Sequence, residues 1–364
     1  MYYQKELAAL KRANRYREIK EYSSSVDLAS NDYLALASRK KSLKKAYKML
    51  KEYNSFAPKA SLLVNGYHPI HKEFEELIAK ANGFEEAIVV GSGFLANIAL
   101  VEALVRKNDE LFIDSEYHAS GILASKLVNR VAVFEHNNPI DLKKRLEQSS
   151  AKRKIVAIEG IYSMSGDIAK KEIFELANRY NAILIVDEAH SSGTIGKGLL
   201  GVFEHYNLKI SPNYIKMGTL GKAYGSYGAY ILSSREIKSF LINRAKPIIY
   251  STAPSVFDTA LALVNLRYIL KHGKKLAKKL KRKRELVKKI LDINVDSQIV
   301  PIVVQNNLAA LTIQKRLLKE GILVGAIREP TVKRAIVRLI LRVGVGQKKL
   351  KEALGLIKSS YDKD

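Results

Sequence analysis

EAIVVGSGFLANIALVEALV, residues 86–105, reads as a strand, a tight turn and a helix in succession. EAIVV (86–90) is short, apolar and β-branched, and GSGF (91–94) follows as a glycine turn. FLANIALVEALV (94–105) is long enough for a buried helix. The same unit recurs on both sides. The helix PIHKEFEELIAKA (69–81) comes before it, and apolar strands follow at ELFID (110–114), RVAVF (130–134), KIVAI (154–158), AILIVD (182–187), YIKMG (214–218) and GAYIL (228–232). Strands without polar alternation, separated by helical stretches, predict an α/β fold whose mostly parallel sheet is covered by helices on both faces.

Beyond about residue 250 the pattern changes. Two long basic helices, the strand QIVPIVV (298–304), a helix, the strands ILVGAI (322–327) and AIVRLIL (335–341) and a final helix predict a smaller C-terminal α+β domain. The pattern breaks at Ala253-Pro254. The expected division is an N-terminal segment over 1–45, a large domain over 46–250 and a small domain over 251–364.

At 364 residues, the chain suits about two domains. No run approaches the ~18 apolar residues of a membrane helix, and the N-terminal MYYQKELAALKRANRYREIK has no apolar core after its charges. These features predict a cytoplasmic protein with no membrane role; the basic charge would suit nucleic acid, coenzyme A phosphates or an acidic carrier protein, and nucleic acid is not the partner expected. Cysteine is absent, which removes disulfides, thiolate catalysis, iron–sulfur clusters and Cys-ligated zinc. No metal site is expected. The net charge of +26 favours encounter with anionic partners. Its densest run, 271–289, also carries Leu276, Leu280 and Val287 near helical spacing, as a solvated amphipathic helix would.

Four features fall at strand ends, where open α/β sheets bind ligands. GSGF opens a helix and offers backbone N–H groups to an anion. GSGFLA also fits the dinucleotide pattern G-x-G-x-x-A, with Asp114 about 20 residues on. VDEAH (186–190) places Asp187 at the end of the most apolar strand and His190 three residues later. A buried carboxylate there can keep a ring nitrogen protonated, although an isolated strand-end Asp is more often a cap. MGTLGKAYGSYG (217–228) sets Lys222 among small residues, where desolvation makes an amine nucleophilic, with Thr219 placed to meet a phosphate. DSEYHAS (114–120) offers His118, whose flat ring can stack on a cofactor.

Taken in order, these motifs resemble the α-oxoamine synthases, a family of fold-type-I pyridoxal-phosphate enzymes. The resemblance runs through NDYLAL (31–36), SLLVNGYHPIH (61–71), GSGFLAN (91–97), HAS (118–120), EGIYSMSGD (159–167), VDEAHSSGTIG (186–196), GTLGKAYGSYG (218–228), IIYSTAP (248–254) and GAIREPTV (325–332). It decides against the dinucleotide reading, which has no use for Lys222. It implies that Lys222 carries pyridoxal 5'-phosphate as a Schiff base and later moves protons. Asp187 pairs with the ring nitrogen, His190 with the ring oxygen beside Ser163, and His118 stacks on the ring. Gly93, Phe94 and Thr219 hold the phosphate, with Thr252 from the second subunit of a homodimer. Arg338 takes the amino-acid carboxylate, and Arg17 and Thr331 contact the acyl group.

The implied activity is decarboxylative condensation of L-alanine with a pimeloyl thioester, carried on coenzyme A or an acyl carrier protein, in biotin biosynthesis. The alternatives are a sister enzyme joining glycine to acetyl-CoA, another α-oxoamine synthase, and a non-catalytic basic binding protein on the same fold. Arg342, Glu329 and Ser165 depart from the family's usual residues, in segments expected near the substrate.

Overall fold

The computed structural model describes residues 2–22 and 26–361. In chain order the strands are β1 Val26–Leu28, β2 Glu86–Val90, β3 Glu110–Asp114, β4 Val131–Phe134, β5 Lys154–Glu159, β6 Ile183–Asp187, β7 Tyr214–Thr219, β8 Ala229–Ser233, β9 Ile299–Val303, β10 Ile322–Ile327 and β11 Ile336–Ile340. The chain forms two compact units. The larger holds residues 34–163 and 167–277, and the smaller holds 1–33, 164–166 and 278–364.

The larger unit is built on a seven-stranded sheet ordered β2-β8-β7-β6-β5-β3-β4. β7, β6, β5, β3 and β4 pair in parallel, and β8 lies antiparallel to both its neighbours. Successive side chains of a strand face opposite ways, so each strand serves two cores. Ile155 and Ala157 on β5, Ile185 on β6, and Ile215 and Met217 on β7 join the cluster formed with the helix Gly93–Leu104. The intervening Tyr214 belongs to the opposite face, where it packs edge-on against Phe174 with Phe203 close by. Both faces are covered, as the unbroken apolar runs predict.

The smaller unit has a four-stranded sheet, β1-β10-β11-β9, in which only the β1–β10 pair is parallel. The helices Asn307–Lys319 and Gln347–Tyr361 supply Ile313, Leu317, Leu350 and Leu354 to its core.

The two basic helices expected after residue 250 are instead one 36-residue helix, Val256–Leu291. Gly273 within it marks a close approach and not a break. A Cβ there would meet the Gly198 carbonyl oxygen at 2.4 Å. The two compact units divide inside this helix, between Ala277 and Lys278. The composition break at Ala253-Pro254 is the turn before the helix, and a continuous helix gives no signal where it passes from one unit to the other. The helix Gln4–Arg12 and the three-residue β1 have too little periodic pattern for sequence reasoning to find.

Two ionic groups, one buried and one half-buried, fix the strand ends. Lys216 points to the face opposite its neighbour Met217 and is fully enclosed. Its Nζ lies 3.5 Å from Glu188 Oε1 and 2.9 Å from Asn82 Oδ1, and it also donates to the Leu200 carbonyl. Glu188 in turn accepts from Ser191 Oγ and the Val202 N–H, which ties down the turn that begins at Asp187.

His136 bridges Asp114 at the end of β3 (3.2 Å) and Asp167 (3.1 Å). Asp114 also accepts from Tyr162 Oη at 2.6 Å and the Asn137 N–H at 2.7 Å. Burial alone would lower the His136 pKa, but hydrogen bonds and attraction from Asp114 and Asp167 prevail and hold it at about 10. A histidine raised in the folded state stabilises the fold fully below its unfolded value of about 6.5, and this contribution is lost as pH climbs toward about 10. His136→Gln is therefore expected to be less stable than the parent at pH 6 to 7, with the gap closing above about pH 10. Urea unfolding of both proteins across that range checks it. A gap independent of pH would mean that the imidazolium is not the stabilising species.

Candidate active site

The carboxyl ends of β5, β6 and β7 lie beside the start of the helix Gly93–Leu104, and a cavity of about 180 Å³ opens there. Strand parity decides what faces it. Glu159 continues the Ile155–Ala157 side of β5, Asp187 the Ile185 side of β6, and Met217 and Thr219 the Ile215 side of β7. Gly93, Phe94 and Asn97 enter from the helix, His118 from the segment after β3, Ala189 and His190 from the turn after β6, and Lys222 from the loop after β7.

Asp187 is buried, and each of its oxygens is met by a donor. Oδ1 accepts from the Ala189 N–H at 2.9 Å, and Oδ2 accepts from Asn97 Nδ2 at 2.8 Å. Asn97 is itself fixed, because its amide also donates to Ser120 Oγ at 2.9 Å and its oxygen accepts from Tyr117 Oη at 2.8 Å. Ser120 closes the network on His118, whose Nδ1 lies 2.7 Å from Ser120 Oγ and accepts from the Ser120 N–H. The His118 ring is thus held in one orientation as the cap of the helix Ala119–Ser125. Burial lowers its pKa, with Lys222 acting in the same sense and Asp187 opposing, which favours the neutral ring.

Lys222 Nζ lies 2.6 Å from His190 Nε2. Glu159 is buried, and its Oε2 accepts from the Ser163 N–H at 3.0 Å. Thr219 Oγ1 donates to the Gly228 carbonyl at 3.1 Å and accepts from the Gly221 N–H, so it shapes the lysine loop. Ser92 caps the helix through the Leu95 N–H. A Cβ at Gly93 would meet no protein atom closer than 3.8 Å, so the helix start is open on that side.

Seven of the residues singled out in the sequence therefore line one cavity: Gly93, Phe94, His118, Asp187, His190, Thr219 and Lys222. Ser163 is buried one hydrogen bond away, on Glu159. Thr252 does not line the cavity. It is exposed and forms an antiparallel bridge with Ser61.

Arg17, Thr331 and Arg338 belong to the smaller unit. There Arg17 donates to Thr331 Oγ1 at 3.1 Å, and buried Arg338 on β11 has its guanidinium 3.4 Å from Asn31 Oδ1. Arg342 pairs with Asp27 and Asp32, and Glu329 pairs with Arg15. Asn97 and Glu159 stand inside quoted motifs, yet sequence reasoning assigned them nothing. Their offsets, three residues past Phe94 and the last position of a strand, were the available signals.

The cavity fits pyridoxal phosphate on its own chemistry. It offers an amine in contact with an imidazole, a buried and fully hydrogen-bonded carboxylate, a fixed flat ring, and an open helix start for an anion. A buried oxygen of Glu159 without a hydrogen-bond partner among the described residues further marks the site as made for an occupant.

Comparison with known proteins agrees with this geometry. Residues 23–357 match the aminotransferase class I and II family. An 8-amino-7-oxononanoate synthase from Helicobacter pylori (strain J99) is 43% identical over 343 residues, covering 93% of this chain and 92% of the relative. One from Geobacter sulfurreducens is 34% identical, covering 92% and 90%. Among solved structures, the 8-amino-7-oxononanoate synthase from Francisella tularensis superposes with a TM-score of 0.78 at 26% identity, covering 93% of this chain and 98% of that one. A serine palmitoyltransferase from S. paucimobilis, solved with a bound PLP–myriocin aldimine, superposes at 0.89 with 23% identity, covering 100% and 98%, and shares the fold. On these grounds the chain belongs to the aminotransferase class I and II family and, within it, to the 8-amino-7-oxononanoate synthases.

Proposed function

We propose that this protein is a cytoplasmic pyridoxal-phosphate enzyme of biotin biosynthesis. It joins L-alanine to a pimeloyl thioester and yields 8-amino-7-oxononanoate, carbon dioxide and the free carrier. The observation that carries the reading is the pairing, in one cavity, of Lys222 against His190 with the doubly hydrogen-bonded Asp187. When bound, the cofactor supplies an electron sink for the negative charge that develops at the amino acid's α-carbon.

In this reading Lys222 holds the cofactor through its ε-amine. Asp187 holds the proton on the ring nitrogen, His190 and Ser163 meet the ring oxygen, and His118 covers the ring face. Gly93, Phe94 and Thr219 take the phosphate. Asn97 keeps the Asp187 carboxylate oriented through its amide hydrogen bond. Lys222, freed when the substrate amine binds, moves a proton to and from the α-carbon, and the adjacent His190 sets its orientation. Arg338 takes the amino-acid carboxylate, and Arg17 with Thr331 takes the acyl chain.

Lys222→Ala is expected to fold and to lose turnover. Borohydride reduction of the wild-type holoenzyme should place the pyridoxyl group on Lys222 by mass spectrometry, and a label on another lysine would refute the assignment. Asp187→Asn should bind cofactor more weakly and lose several orders of magnitude in rate. Retaining more than about a tenth of the rate, a deficit of only ~1.4 kcal/mol, contradicts its role.

Apolar side chains support a homodimer in which Thr252 of the partner subunit reaches the phosphate. Leu63, Val64 and Tyr250 are exposed beside the Ser61–Thr252 bridge. Mixing Lys222→Ala with Thr252→Ala subunits should give hybrid sites unlike either parent in activity. If Thr252 serves only its own subunit, no such sites appear.

The acyl carrier is coenzyme A or an acidic carrier protein. The surface charge of +26 suits either, and a cleft of about 640 Å³ in the smaller unit is lined by Arg282, Lys289, Lys348 and Lys351. Assays of alanine, glycine and serine against pimeloyl, acetyl and palmitoyl thioesters test the reaction. Alanine with the pimeloyl thioester should give the highest kcat/KM. A preference for glycine with acetyl-CoA would move the protein to the sister activity.

A further inference from the structure

Glu159 and Asp187 are cross-strand partners on β5 and β6, so two carboxyl side chains leave adjacent strands on the same face. Both are buried and both line the cavity. Their hydrogen bonding differs. Asp187 has a donor on each oxygen. Glu159 has the Ser163 N–H on Oε2, while Oε1 is buried with no hydrogen-bond partner among the described residues.

The charged groups facing Glu159 are Asp187 on β6, Asp114 on β3 and Lys222 on the lysine loop, with the phenols of Tyr117 and Tyr162 nearby. Lys222, the cation among them, attracts Glu159 and also contacts His190, but burial and the two neighbouring carboxyl groups act against it. Two carboxyl groups buried side by side repel as anions, and burial disfavours the charged form of each, so one of them keeps its proton. The hydrogen bonds say which. Asp187 has the donors that stabilise charge, and Glu159 has a bare oxygen that would have to surrender its hydration for nothing. Burial first, and then Asp187, push the Glu159 carboxyl well above the usual range.

We propose that Glu159 stands in the cavity as a neutral carboxylic acid and gives its proton, as a hydrogen bond, to an oxygen of the bound cofactor or amino acid. Asp187 is then the single ionised carboxylate of the pair, and the ring nitrogen meets one anion. Glu159 also anchors the backbone of Ser163, so one side chain sets both its own donor and the placement of the serine. This role rests on the cofactor reading above, and it assigns work to a residue that the motif comparison leaves idle.

Three measurements decide it. In cofactor-free protein labelled with ¹³C-carboxyl glutamate, the resonance that is missing from E159Q should stay at the protonated position at neutral pH, distinct from that of Glu75, which burial raises to about 7. A resonance assigned to Glu159 that lies at the ionised position at neutral pH overturns the proposal, whatever the state of Glu75. Titration of pyridoxal phosphate, followed by its absorption band, provides the second. E159Q keeps a neutral donor and should bind within about threefold of wild type, while E159A should bind about tenfold or more weakly. If E159Q falls as far as E159A, the side chain acts as an anion. If E159A binds like wild type, it makes no contact with the cofactor. In that case the KM for the amino acid is the third readout, and an unchanged KM in E159A overturns the proposal. Failure of the wild-type protein to bind pyridoxal phosphate would sink the cofactor reading, while the resonance experiment still reports the state of Glu159.

Discussion

A strand shows alternate side chains to opposite faces, and the larger unit depends on that two-residue period. On β5, β6 and β7 the odd-numbered apolar residues pack toward the helix Gly93–Leu104, so Glu159, Asp187, Met217 and Thr219 arrive at the cavity by parity. A register slip of one residue on β6 would turn Asp187 away from Asn97 and bring Val186 in its place. The apolar runs that make the sheet therefore also aim its chemistry.

Two lysines lie six positions apart on one strand and its loop, and the end of β7 at Thr219 separates them, since a continued strand would put both on one face. Lys216 faces the far side of the sheet, enclosed with Glu188, and braces the turn after Asp187. Lys222 lies beyond the end of the strand, in a loop that glycine and alanine keep narrow, and reaches His190. A buried ion pair contributes little net stability against an apolar replacement, yet it resists the loss of either partner. It is suited to holding a turn in place, and the turn it holds carries both Asp187 and His190.

Charge is distributed by depth. The chain carries +26 in total, but its buried centre is acidic, with Asp114, Glu159 and Asp187 on three neighbouring strands. Asp114 is balanced by His136, and Asp187 accepts hydrogen bonds from the Asn97 amide and the Ala189 N–H. In the smaller unit the departures from the family pattern are matched locally. Arg342 has Asp27 and Asp32, and Glu329 has Arg15. These charges brace the N-terminal segment against the small sheet, which gives them a structural use apart from substrate choice.

Apolar periodicity alone established the α/β order, since β2, β3 and β10 begin and end where the runs EAIVV, ELFID and ILVGAI do. The motifs placed Lys222, Asp187, His190 and His118, because each sits at a strand end where short-range pattern and ligand position coincide. Long-range contact decided the rest. Whether Gly273 breaks a helix or admits a neighbouring backbone depends on Gly198, 75 positions away in the chain, which no local window contains. Asn97 became the partner of Asp187 only when a helix and a strand 90 residues apart packed together. Whether Glu159 is a charge or an acid depends on burial and on the strand beside it, and those are properties of the folded sheet.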